Sequence, residues 1–204
     1  MIQSPSTSRL LNPAVYNQAI EMAKDLVSCS NAVFFDTETT GFGMDAEIVE
    51  ITALDNEGKT MLDTLVKPLK PIPPEVSQIT HITNEMVAFA PSLQSLKNAL
   101  EFTFSRKVWV AYNASFDVRM FYQSHQISGI RFAPNFFAVY DAMLIVSNIL
   151  QMPNPYGGFK WVKLGEAAKL LQVDLGDADL HRAKADTTLM LQILYKISKL
   201  ERVE

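Results

Sequence analysis

Apolar residues recur along the chain with two spacings, and each spacing predicts a different kind of element. Short apolar runs and alternating apolar positions, bounded by polar turns, predict five strands. Apolar positions three or four residues apart, in two cases just after a proline, predict five helices. The predicted strands are 32–37, 47–54, 60–66, 107–113 and 136–141, and the predicted helices are 14–27, 91–100, 115–125, 142–150 and 182–200.

The order of these elements predicts the fold class. Three consecutive strands come first, the second and third joined by the turn Asp55-Asn56-Glu57-Gly58, and strands then alternate with helices. This order is typical of an α/β protein with one mixed five-stranded sheet and helices on both faces. The four prolines of 67–76 predict a loop, and so does the proline- and glycine-rich segment 152–162.

Composition narrows the class of protein. A chain of 204 residues suits one domain with a full core. The formal net charge of −4 counts against tight non-specific binding of nucleic acid, but not against a local site in which metal ions offset phosphate charge. The single cysteine, Cys29, the lack of a signal-peptide pattern and the lack of a membrane-length apolar run favour a soluble cytoplasmic protein with no membrane partner.

Acidic residues stand at the ends of several predicted elements. Asp36 and Glu38 end the first strand, and their i, i+2 spacing puts both carboxylates on one face, where they repel unless a proton or a cation lies between them. Hard oxygen ligands favour magnesium or manganese. Asp117 falls in the first turn of a predicted helix and Asp186 in the early part of the last one. Asp141 ends the fifth strand, where it is expected to cap a helix. Taken singly, each of these acids also fits an ordinary solvated or capping role.

Three stretches together resemble a known family. The segments "FDTETTG", "NASFD" and "HRAKAD" resemble, in order, the three motifs of the DEDDh (DnaQ-like) 3′–5′ exonucleases, which include the proofreading subunit of bacterial DNA polymerase III and exonuclease X. The resemblance covers about residues 32–200. It implies a ribonuclease H-like fold, with an exonuclease domain at 32–204 after an N-terminal helical extension at 1–31. His81 departs from the pattern, because several relatives have glycine there.

The resemblance also assigns roles to individual residues. Two Mg²⁺ or Mn²⁺ ions are expected on four carboxylates, and His181 is expected as the general base. Four further residues are expected to bind the substrate, with Phe42 in the place where relatives often carry a leucine wedge. The metal-binding residues are Asp36, Glu38, Asp117 and Asp186, and the substrate-binding residues are Thr39, Gly41, Phe42 and Asn113.

The implied function is metal-dependent hydrolysis from the 3′ end of single-stranded DNA, which releases nucleoside 5′-monophosphates. DNA is favoured over RNA because the chain resembles the proofreading and exonuclease X groups overall. An exoribonuclease of the same family remains an alternative, and a polymerase or repair protein is a possible partner. A haloacid-dehalogenase-like phosphatase is a further alternative, since "FFDTETT" resembles its DxDxT pattern. That alternative fits Glu38 poorly and leaves Asp117 and His181 without a role. A non-catalytic nucleic-acid-binding module on the same fold is the remaining alternative.

Overall fold

The computed structural model describes residues 12–131, 134–174 and 182–204. Within these ranges, five strands form one sheet and eight helices pack around it. The strands are β1 Ala32–Thr39, β2 Ile48–Leu54, β3 Thr60–Leu65, β4 Val108–Ala111 and β5 Ala138–Asp141. The helices are α1 Pro13–Ser28, α2 Pro74–Thr80, α3 Asn84–Val87, α4 Lys97–Phe104, α5 Ala114–Ile127, α6 Ala142–Leu150, α7 Leu164–Leu170 and α8 Ala183–Ser198.

The sheet is mixed, as predicted. Its strand order is β3-β2-β1-β4-β5, with β1, β2 and β3 antiparallel and with β4 and β5 parallel to β1. The predicted hairpin turn joins β2 to β3: the Asp55 amide donates to the Lys59 carbonyl at 3.0 Å, and Gly58 has the positive φ of 82° that the turn requires. In the parallel pair, Phe34 on β1 lies opposite Val110 on β4. The carboxyl ends of β1, β4 and β5 therefore meet at one edge of the sheet.

Side-chain alternation on β1 divides the core into two layers. Ala32 and Phe34 pack on one face with the apolar sides of α1, α6, α7 and α8. Val33 and Phe35 pack on the opposite face against α4 and α5, where Phe35 makes edge-to-face contacts with Trp109. We call these the α8 face and the α5 face. Helices on both faces confirm the predicted fold class.

Helix α1 is part of the α8-face layer. Tyr16 and Ile20 are fully buried there, and α1 contacts both α6 and α8. Asn12 caps the helix through its side chain, which accepts from the Val15 amide at 3.2 Å, and Pro13 follows at the first helical position. The domain boundary placed at residue 31 stays a prediction. None of the helices in the described ranges is long and apolar enough to cross a membrane.

Two local predictions were wrong, and a short helix was not predicted. The helix expected from residue 91 begins only at Lys97, because Ser92 forms a backbone bridge with Lys67 and the chain turns before it coils. The proline-rich loop ends at Pro73, since Pro74 takes the first position of α2, where a missing amide costs nothing. The short helix α7 was not expected, because its seven residues carry no clear periodicity.

His81 ends α2 in the left-handed region, with φ 57° and ψ 17°. Glycine is the residue that adopts this conformation most readily at a helix C-terminus. The backbone geometry at His81 is therefore one that glycine would adopt with less strain.

Candidate active site

Three carboxylates meet at the carboxyl edge of the sheet, on the α8 face. Asp36 and Glu38 lie two and four residues beyond Phe34 on β1, so they share its face. Asp186 lies in the first turn of α8, which packs on that face. One carboxylate oxygen from each of the three residues lies within 4.8 Å of the others. The structure thus brings together three of the four acids that the sequence proposed as metal ligands.

The fourth acid, Asp117, is held beside this cluster from the other face. It lies in the first turn of α5 and is buried. Its Oδ1 accepts hydrogen bonds from the Thr37 amide at 3.0 Å and from the Thr37 hydroxyl at 2.7 Å. Because Thr37 stands between Asp36 and Glu38, this contact fixes α5 to the strand at the acidic positions. Asp117 lies outside the group of three, but after burial its negative charge is the largest cause of the raised pKa of Asp36.

The electrostatics of the site follow from this crowding. Burial, followed by the charges of Asp117 and Glu38, raises the pKa of Asp36 well above its usual range. Burial, followed by the charges of Asp186 and Glu50, raises the pKa of Glu38 to about 8. Burial raises the pKa of Asp117 to about 7, although the two hydrogen bonds from Thr37 lower it. At neutral pH the cluster therefore holds protons, or it holds cations that replace them.

Two further charged residues at the site, Glu50 and Arg182, were not predicted from the sequence. Glu50 lies on β2 directly opposite Glu38 and is 4% exposed. Its carboxylate accepts from the Arg182 Nε at 3.1 Å, from the Arg182 Nη2 and from the amide of Ala183 at 2.9 Å. The signal was present in "EIVEITAL", since a glutamate within a fully buried strand needs a charged or hydrogen-bonding partner.

A polar turn follows the acids of β1. The buried Thr39 hydroxyl donates to the Gly41 carbonyl at 2.7 Å, and Gly41 has φ 149°. Phe42 comes next and is 80% exposed, with its ring centroid 5.7 Å from that of Phe116. The turn therefore displays an aromatic ring beside the carboxylates instead of burying it. This exposure does not agree with a core position for Phe42.

Asn113 links the second motif to the end of β5. It has left-handed backbone angles, φ 64° and ψ 50°, a conformation that asparagine tolerates better than most residues. The backbone amide of Asn113 donates to Asp141 Oδ1 at 3.0 Å. Asp141 also accepts from the Met143 backbone amide at 2.9 Å as the cap of α6. The prediction that Asp141 caps this helix is confirmed. His181, the expected general base, lies outside the described residues.

Comparison with known proteins settles the family. Residues 33–194 match the exonuclease family RNase_T, which covers all three motifs. The chain belongs to this family. An uncharacterised exonuclease of Escherichia phage 186 is 39% identical over 171 residues, which is 82% of this chain and 88% of the phage protein.

More distant relatives agree with this assignment. The DNA polymerase III subunit epsilon of Treponema pallidum is 39% identical over 88 residues, or 41% of each chain. The structure of exonuclease X in complex with 5′-overhanging duplex DNA aligns with a TM-score of 0.59 and 26% identity, over 81% of this chain and 90% of that one. The chain thus spans most of the phage exonuclease but less than half of the polymerase subunit. These matches confirm three predictions from the sequence: the resemblance to the DEDDh, DnaQ-like exonucleases, the ribonuclease H-like fold and the assignment as a nuclease.

Proposed function

We propose that this exonuclease removes nucleoside 5′-monophosphates from the 3′ end of single-stranded DNA and requires divalent metal ions. The observation that carries the proposal is the meeting of Asp36, Glu38 and Asp186 within 4.8 Å, with Asp117 buried beside them. Such a cluster is costly unless cations or protons compensate its charge. An exonuclease active site supplies a reason for maintaining it.

The chemistry of these groups fits Mg²⁺ or Mn²⁺. All four are carboxylates, the hard oxygen ligands that both ions prefer, and within the described ranges no sulfur or imidazole ligand joins the group of three. Asp36, Glu38 and Asp186 would hold one ion, and Asp36 together with Asp117 would hold a second. When bound, these ions neutralise charge on the scissile phosphate and on the leaving oxygen, and they lower the pKa of a bound water.

The protein residues supply orientation and proton transfer. The rigid end of β1 fixes Asp36 and Glu38, and Thr37 ties Asp117 to the same strand. His181 would take the proton of the attacking water, because the unperturbed pKa of histidine lies close to cellular pH. Thr39 and the backbone at Gly41 would bind the terminal 3′-hydroxyl, and Phe42 would contact the last base. Asn113 would bind near the same terminus. Binding of the terminal 3′-hydroxyl at these residues would direct attack to the 3′ end.

An assay on oligonucleotides labelled at either end tests the proposal. Purified protein is incubated with linear DNA, linear RNA and circular single-stranded DNA, with Mg²⁺ or with chelator. We expect 5′-labelled linear DNA to shorten stepwise with Mg²⁺ alone, mononucleotides to appear and circles to stay intact. The Asp36→Ala variant, purified in parallel, controls for contaminating nucleases. Cleaved circles would make the enzyme an endonuclease, and faster loss of RNA would overturn the preference for DNA.

Because the assay contains no polymerase, it also tests whether the exonuclease acts on its own. Full activity of the isolated chain supports a free-standing exonuclease. Activity that appears only on addition of a replicative polymerase would instead support the alternative of a polymerase-associated proofreading subunit.

A further inference from the structure

The segment between α6 and α7 forms an ordered hairpin that the proposed catalytic steps do not use. Residues 152–161 fold back on themselves through an antiparallel bridge between Pro153 and Phe159. The Lys160 amide donates to the Met152 carbonyl at 2.8 Å, and the Tyr156 amide donates to Asn154 Oδ1 at 3.0 Å. We call this segment the 152–161 hairpin.

The hairpin is anchored at both ends. At its start, the Gln151 side chain accepts from the backbone amide of Asn12 at 2.9 Å and donates to the backbone carbonyl of Asn12 at 2.7 Å. At its end, the Tyr112 hydroxyl donates to the carbonyl of the buried Val162 at 2.6 Å. These anchors hold the hairpin against the body of the domain.

Tyr112 places the hairpin beside the active site. In the parallel register of β1 and β4, the last pair is Phe34 opposite Val110, and Tyr112 follows directly after β4, at the carboxyl edge of the sheet. Tyr112 packs with the α8-face layer, the face that carries the three carboxylates. The C-terminal end of the hairpin is therefore held at the carboxyl edge of the sheet, on the face where Asp36, Glu38 and Asp186 meet.

The composition of the hairpin differs from that of the chain. Tyr156 is 98% exposed and Trp161 is 65% exposed, and neither belongs to the apolar clusters of the described core. Residues 151–163 contain two lysines, Lys160 and Lys163, and no acid, in a chain whose net charge is −4. Lys160 forms an exposed ion pair with Glu166 at 3.3 Å. Such surface pairs are weak, so the lysine can exchange this partner for a phosphate.

We infer that the 152–161 hairpin and the adjoining Lys163 bind the substrate strand upstream of its 3′ end, with Tyr156 and Trp161 stacking on bases and with Lys160 and Lys163 facing phosphates. This inference rests on the proposed function and extends its site beyond the terminal nucleotide. Exposed aromatic rings beside lysines are the usual means of holding single strands without regard to sequence. The local positive charge complements a phosphate backbone, and the hairpin adjoins the site where that strand must end.

Two substrates of different length test the inference. Kinetics are measured on a dinucleotide and on a single strand of about 12 nucleotides, a length within the span of one single-strand site. The variant Tyr156→Ala/Trp161→Ala should raise the KM for the longer strand about tenfold or more and leave the dinucleotide unchanged. Tyr156→Phe/Trp161→Phe, which keeps an aromatic ring at both positions, should have a KM for the longer strand close to that of the wild type. Phe102→Ala is the matched control, because Phe102 is 84% exposed on α4, which packs on the α5 face.

Equilibrium binding of the same labelled strand in metal-free buffer separates this inference from the proposed function. If the wild-type protein hydrolyses neither substrate, the proposed function fails, and weaker strand binding by the alanine double variant still supports the hairpin. Equal strand affinity of wild type and double variant would overturn the inference, whether or not the enzyme is active. An equal loss on both substrates, or the same loss in Phe102→Ala, would also overturn it.

Discussion

Glu50 and Arg182 form an ion pair that joins the middle strand of the antiparallel half of the sheet to the first residues of α8. Glu50 lies directly opposite Glu38, and Arg182 precedes the helix that carries Asp186. The same carboxylate accepts from the Ala183 amide, so it also satisfies one of the free amides at the helix N-terminus. One side chain therefore couples the positions of two carboxylates that the proposed metal site needs together.

Replacing Glu50 with alanine should loosen this coupling. We expect kcat to fall by about 10²-fold, because small displacements of catalytic groups have effects of that size. The free energy of unfolding should fall by about 1–3 kcal/mol, less than for a fully buried pair since Arg182 is partly exposed. The Mg²⁺ concentration that gives half-maximal rate should rise, and titration of the rate with Mg²⁺ measures it.

Two further variants make this test specific. Arg182→Lys keeps the charge but not the paired donors of a guanidinium, so its defect should be intermediate. Lys184→Ala removes a more exposed pair with Asp63 at the start of the same helix, and it should change stability by less than about 1 kcal/mol. A normal Mg²⁺ dependence in Glu50→Ala would rule out the positioning role.

Asp36→Asn should abolish hydrolysis without unfolding the protein. The substitution keeps the shape of the side chain but removes one negative charge from a crowded cluster. In metal-free buffer the thermal midpoint should therefore stay level or rise, and the stabilisation that Mg²⁺ gives to the wild type should disappear. Thermal unfolding with and without Mg²⁺ checks both points. Asp45→Asn, at an exposed pair with Lys70, is the control, and retained activity in Asp36→Asn would refute the metal assignment.

The stability of the metal-free protein should fall as the pH rises. Glu38 and Asp117 have pKa values of about 8 and about 7 in the folded protein and ordinary acidic values when unfolded. Between about pH 5 and about pH 8 the folded state thus binds more protons than the unfolded state, so the free energy of unfolding decreases with pH. Each 1.4 kcal/mol lost corresponds to about 3–6 °C in a chain of this size.

Mg²⁺ should reverse this trend, since it binds the deprotonated carboxylates. Its stabilising effect is expected to be larger at about pH 8 than at about pH 5. Glu38→Gln should flatten the pH dependence of the metal-free protein. Thermal midpoints that rise with pH in chelator would contradict the raised pKa values.

Much of the fold and site could be predicted because the signals are local. The run "VFFDTET" shows both a buried strand and its two outward carboxylates, and α6 begins and ends where the pattern placed it. The start of α4 could not be predicted, because it depends on the distant bridge between Ser92 and Lys67. The role of Glu50 was missed for the same reason, since its partner Arg182 lies 132 residues away.

His181→Ala should lower kcat by about 10²–10⁴-fold, the usual contribution of a general base. The stabilisation by Mg²⁺ should persist, because the histidine is proposed as a proton acceptor and not as a metal ligand. Calorimetric titration with Mg²⁺ separates the two roles. Lost metal affinity in this variant would make His181 a ligand, and an unchanged kcat would exclude it as the base.

Phe42→Ala should weaken substrate binding and leave the fold intact. Because Phe42 is 80% exposed and contacts the partly buried Phe116, removal of its ring opens no enclosed core cavity, and the thermal midpoint should change by less than about 2 °C. Loss of a base contact worth about 1–3 kcal/mol should raise KM by about 5- to 150-fold. Phe42→Leu should retain part of the contact.

The length of the substrate distinguishes Phe42 from the 152–161 hairpin. A residue that holds the terminal base acts on every substrate, so the dinucleotide and the longer strand should both lose affinity in Phe42→Ala. The hairpin variants should affect the longer strand alone. An unchanged KM on the dinucleotide in Phe42→Ala would show that the ring does not hold the terminal nucleotide, and a large loss of stability would show that its contact with Phe116 serves the fold.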